Sequence, residues 1–105
     1  MTLAKLVDLL SATTVVDVDC GEISGFYAGD FLSRVIGKAP NGSAWFTIMN
    51  NVNVAGVASL AEIKVIVLCE SVFPVQILID KCKDNDIALI VTPLDVFHAC
   101  VKVAE

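Results

Sequence analysis

Lys64-Val65-Ile66-Val67-Leu68-Cys69 and Ile87-Ala88-Leu89-Ile90-Val91 are the two runs that decide the fold. Neither alternates apolar with polar residues, so neither has a solvent face. Apolar runs this short and this rich in β-branched residues are strands buried on both sides. Between them Pro74 suits the first turn of a helix, and Val75, Leu78, Ile79 and Cys82 recur at the spacing of a helix packed on one face. Strand, helix and strand in that order form a βα unit with parallel strands.

The same alternation extends towards both ends. Leu3, Leu6, Val7 and Leu10 form a helical stripe opposed by Lys5, Asp8 and Ser11, and Thr13–Val16 is a short β-branched strand. Gly21 and Gly25 bracket a turn before a strand at Phe26-Tyr27-Ala28, which ends at Gly29-Asp30. Asp30 is expected to cap a short helix of Phe31, Leu32, Val35 and Ile36 that stops at Gly37. After the turn Pro40-Asn41-Gly42-Ser43, Ala44–Ile48 reads as a strand. Asn53 is the expected cap of a helix reaching about Glu62, built from small residues that let it approach a sheet closely. Thr92-Pro93-Leu94-Asp95 has the form of a capping box before a final helix. The pattern predicts an α/β fold: a mostly parallel sheet covered by helices on both faces, in one domain over residues 1–105.

Composition narrows the function. The 105 residues carry 12 acidic and 7 basic groups, a net charge of −5. Phosphate neutralisation needs clustered Lys and Arg, and Arg34 and six scattered lysines supply no nucleic-acid footprint. The longest apolar runs have five residues, against the roughly 20 that span a bilayer, so no membrane segment is expected. Met1–Lys5 enters an amphipathic pattern with Asp8 inside what would be a signal core, and a cytoplasmic protein is expected. Cys20, Cys69, Cys82 and Cys100 contain no CxxC pair, so they read as small buried hydrophobes in a reducing compartment. No metal or cofactor is expected. Apolar residues make up 56% of the chain and charged residues 18%, too few charges to cover the surface a small domain exposes. A homodimer is therefore expected.

In open α/β sheets ligands bind beyond the carboxyl ends of the strands, where helix N-termini present free N–H groups. Here those ends hold Gly29, Asp30, Asn50, Asn51, Asn53, Glu70, Ser71 and Thr92. Asparagines both donate and accept, which suits a nucleobase, a sugar or an amide, although turns and caps select the same residue types. Val15-Val16-Asp17-Val18-Asp19 is a strand followed by DxD, the opening of haloacid-dehalogenase-like phosphatases, in which Asp17 would be the nucleophile. No later acidic pair ends a strand to complete a magnesium site, so solvated turn acids are the favoured reading. His98 and Cys100 stand two apart on a helix and point about 200° from each other, so they form no catalytic dyad. A local Asp95–His98 pair is expected instead.

Ser24-Gly25-Phe26-Tyr27-Ala28-Gly29-Asp30-Phe31-Leu32-Ser33, Ala44-Trp45-Phe46-Thr47-Ile48 and Asn53-Val54-Ala55-Gly56-Val57-Ala58-Ser59-Leu60 resemble, in order and spacing, the signature blocks of DRTGG-domain proteins. The resemblance spans nearly the whole chain. It implies a three-layer α/β/α module related to the N-terminal domain of HPr kinase/phosphorylase, without a phosphate loop. It further implies a non-enzymatic regulatory part, dimer formation and an adenine nucleotide as ligand, with Tyr27, Gly29, Asp30 and Asn53 as the positions that matter. Adding the rim residues gives the candidate site Tyr27, Gly29, Asp30, Asn50, Asn51, Asn53 and Thr92. At net −5 a polyphosphate is repelled unless helix N-termini and Lys38 or Arg34 offset the field locally. The alternatives are a protein-interaction scaffold with no small ligand and, more remotely, a phosphatase using Asp17.

Overall fold

The computed structural model describes Met1–Glu105. In chain order its elements are α1 (Leu3–Leu10), β1 (Thr13–Val16), β2 (Gly25–Ala28), α2 (Leu32–Lys38), β3 (Ser43–Thr47), α3 (Val52–Leu60), β4 (Val65–Leu68), α4 (Gln76–Asp84), β5 (Ala88–Val91) and α5 (Val96–Ala104). The sheet order is β1-β5-β4-β3-β2. Pairs β2–β3, β3–β4 and β4–β5 are parallel, and β1 runs antiparallel to β5. The fold is thus α/β with a mostly parallel sheet, as the sequence pattern predicts.

Period-two alternation divides the strands between two cores. Trp45, Ile66, Leu68, Leu89 and Val91 face one side, where Val35 of α2, Val54 and Ala58 of α3, and Leu78 and Cys82 of α4 close over them. Ala44, Phe46, Val65, Val67, Ala88 and Ile90 face the other, under Leu6 and Leu10 of α1 and Ala99 of α5. Three layers result, with α2, α3 and α4 on one face and α1 and α5 on the other. Because β3, β4 and β5 are buried on both faces, their sequences lack a polar period.

Helix starts differ from the sequence expectations for identifiable reasons. α2 begins after Phe31, and Asp30 is not its cap: the carboxylate instead takes the Thr47 hydroxyl at 2.6 Å and the Ile48 N–H at 3.1 Å. α3 is capped by Asn51, whose side chain accepts from the N–H of Asn53 at 3.0 Å, which leaves Asn53 inside the first turn. α4 begins after Val75, which is exposed and outside the stripe of Leu78, Ile79 and Cys82. α5 is capped by Asp95 through the N–H of His98 at 2.8 Å, three residues later than the capping-box reading. Thr92 lies instead in the buried end of the β5 turn. Gly42 is required where it stands: φ is +82°, and a Cβ would meet the Ser24 hydroxyl at 2.5 Å.

Candidate functional site

Four loops leave the carboxyl ends of the parallel strands, and the polar residues singled out from the sequence stitch those loops together. Asp30 binds Thr47 and Ile48, tying the end of β2 to that of β3; the Thr47 hydroxyl in turn accepts from Met49 N–H at 3.1 Å. Asn50 donates to the Phe73 carbonyl and accepts from Val75 N–H, both at 2.8 Å, which joins the β3 loop to the β4 loop. Glu70 and Ser71 both adopt left-handed backbone, at φ 59° and 58°, a conformation costing L residues about 1–3 kcal/mol each. Their N–H groups donate to the carbonyls of Leu94 and Thr92, which joins the β4 loop to the β5 loop. Thr92 is fully buried; its hydroxyl donates to Leu10 O at 2.7 Å and accepts from Leu94 N–H. Fully enclosed, that hydroxyl cannot reach a ligand.

The rim is therefore a continuous hydrogen-bonded band whose amides work mainly within it, with Phe31, Ile48 and Phe73 exposed on the same loops. Of the three asparagines only Asn53 stands exposed with an uncommitted side chain. Asp30, Asn50, Asn51, Asn53 and Thr92 line no cavity of the molecule. Tyr27 does. Its backbone borders a groove of about 340 Å³ between the edge strand β2 and α5, together with Phe26, Ala28, Phe46, Cys100, Val103 and Ala104, while its ring packs on the opposite face of the sheet against the core under α2, α3 and α4. The hollow that the sequence places on the rim thus lies around the corner from it, and hydrophobic residues alone line it. Gly29 joins the two regions: its carbonyl accepts from the Trp45 indole at 2.8 Å, its N–H donates to Phe46 O, and the Tyr27 ring lies beside it.

Sequence reasoning missed Phe26, Phe46, Cys100 and Val103 because the groove gathers residues from three separate elements. The one available signal was α5 itself. Seven of its nine residues are apolar, yet only Ala99 is buried.

A second cleft, of about 690 Å³, lies between α1 and the chain following β1, and Asp8, Asp17 and Asp19 line it with no Lys or Arg. An anionic ligand is repelled there. Asp17 follows a strand that runs against the others, so it sits at the end of the sheet opposite the carboxyl rim. No cluster of three or more His, Cys, Asp or Glu side chains is arranged to hold a metal ion. His98 meets Asp95 rather than Cys100: the Nδ1–Oδ2 distance is 2.8 Å. Hydrogen bonds from the His98 backbone and then its ring hold the Asp95 carboxyl below the usual carboxylate range. All four cysteines are free. Burial pushes the Cys69 thiol up to about 12 and the Cys82 thiol to about 11, and it also raises those of Cys20 and Cys100, so none is an activated nucleophile. No helix is long and apolar enough to cross a membrane.

No protein-family profile matches the sequence, and no curated protein matches it. Among solved structures, the CBS and DRTGG domains of the regulatory region of Clostridium perfringens pyrophosphatase, complexed with the activator diadenosine tetraphosphate, superpose with a TM-score of 0.79. The match covers 97% of this chain and 45% of that one at 17% identity. The likeness shows a DRTGG-like fold.

Proposed function

We propose that this chain is a non-catalytic regulatory module that binds an adenine nucleotide where two copies meet. The observation that carries the reading is the end of β2. Tyr27 borders the groove, Gly29 is pinned by Trp45, Asp30 is pinned to β3, and the hollow beside them is open on its outer side. An open, apolar half-hollow of this kind is completed by a second surface, and the exposed Phe26 ring offers a stacking face to a base. The structural likeness to a regulatory region solved with diadenosine tetraphosphate supports the ligand class. Lys102 of α5 is a cation on a helix that borders the groove, and Arg34 and Lys38 lie on α2 across the sheet, against a net charge of −5. The four free cysteines fit a reducing, cytoplasmic setting.

Calorimetric titration with AMP, ATP and diadenosine tetraphosphate tests the reading. Binding by at least one, weakened in Phe26→Ala, is the expected result. Silence from all three at about 1 mM eliminates the nucleotide. The commitment of Asn50 and Asn51 to loop bonds favours a second reading, a protein-interaction subunit with no small ligand. Under it, these nucleotides neither bind nor alter thermal stability.

A further inference from the structure

The two edges of the sheet are built differently. β1 carries a register shift between Thr14 and Val16 and is followed by Asp17 and Asp19, all devices that discourage edge pairing. β2 has none of them. From Ile23 to Gly29 there is no charge, no proline and no bulge, and the strand pairs in regular register with β3. The N–H of Gly29 points inward to Phe46 O, so by alternation Phe26 and Ala28 turn their N–H and C=O groups outward. Beside this open edge runs the apolar groove, and beyond it the outer face of α5, where Phe97 is 71% and Val101 40% exposed. An apolar face on a surface helix implies a cover.

We propose that the cover is a second copy of this chain, its β2 paired antiparallel with this β2 and its α5 packed against this α5 across a two-fold axis. This inference names the surface of the dimer that the proposed function assumes. An edge strand is chemically complementary to itself, and a two-fold places the same uncharged strand and the same apolar helix face opposite one another. A standard interface takes about 800 Å² from each partner. The molecule exposes 5287 Å², so a contact of about 800 Å² covers about 15% of its surface, roughly one side of a body measuring 30 × 26 × 24 Å. Two copies at −5 each repel, so an apolar contact between them tightens as salt screens that repulsion.

Sedimentation equilibrium of the full chain from about 1 μM to 1 mM is the test, with exposed-site variants that spare the cores. Ala28→Lys and Val101→Lys should each weaken the dimer by about 100-fold, Thr14→Lys should leave it unchanged, and the wild-type dimer should tighten with added salt. A wild-type dimer that all three variants leave intact, one broken by Thr14→Lys alone, or one that loosens with salt overturns the β2 surface and leaves the homodimer standing. A wild-type chain that stays monomeric throughout overturns both.

Discussion

The two edge strands are fastened to the sheet by different means, and the difference separates what holds the molecule together from what it offers outward. At the β2 edge, the Trp45 indole binds Gly29 O and Asp30 binds Thr47, so the strand end is pinned from inside while its outer side stays open. At the β1 edge, Thr92 binds Leu10 O, which locks the end of α1 and thereby the entry to β1, and the outer side is bulged and bordered by acids. A rigid strand with an unblocked edge is suited to pairing. A bulged and charged one is suited to remaining unpaired.

The strongest perturbation of this contrast is Trp45→Ala. It empties a fully buried indole site and frees Gly29, with an expected loss of about 3–5 kcal/mol by urea unfolding. Thr92→Val acts on the opposite edge: it leaves Leu10 O without its donor inside the protein and costs about 1–3 kcal/mol. Asp30→Ala strips the acceptor from the buried Thr47 hydroxyl and costs about 1–2 kcal/mol, reduced by the exposure of the carboxylate. If Thr92→Val proves neutral while Asp30→Ala does not, only the β2 end depends on its pin.

Much of the fold is legible in the sequence. Residues 65–68 and 88–91 declare themselves because strands buried on two faces cannot carry a polar period. The position of β1 was not legible, because Thr13–Val16 reads the same whether it pairs parallel or antiparallel, inside the sheet or at its rim. Among the site residues, the asparagines admit two readings for a chemical reason. An amide that can recognise a base can equally bridge two loops, and Asn50 does the latter. Asp30 shows the same ambiguity, since a carboxylate near a helix start can serve the adjacent strand instead. The groove was invisible because Phe26, Phe46 and Val103 meet only once β2, β3 and α5 are assembled.

Smaller effects sharpen the contrast. Asn51→Ala removes the α3 cap and costs about 0.5–2 kcal/mol, whereas Asn53→Ala, a solvent-facing change, stays within about 0.5 kcal/mol. Equality of the two would reassign the cap. The thiols report on both edges, because Cys100 lines the β2 groove and Cys20 the cleft beside β1. In alkylation at pH 8, Cys69 and Cys82 should stay unmodified in the native protein, and raising the protein concentration should slow Cys100 but not Cys20. Alkaline stability follows from the same burial. The raised thiol pKa values of Cys69 and Cys82 contribute stability that is full below about pH 9. It is lost as pH climbs towards about 11 for Cys82 and about 12 for Cys69, so Cys69→Ala should flatten the fall in urea midpoint across that window.

Amide hydrogen exchange at individual residues, followed as protein concentration rises, interrogates the edge directly. Protection of Phe26 and Ala28 should grow with concentration while the amides of β1 keep their dilute-solution rates. Unchanged exchange at Phe26 and Ala28 in a sample that sediments as a dimer, or protection gained at β1 instead, would contradict the account.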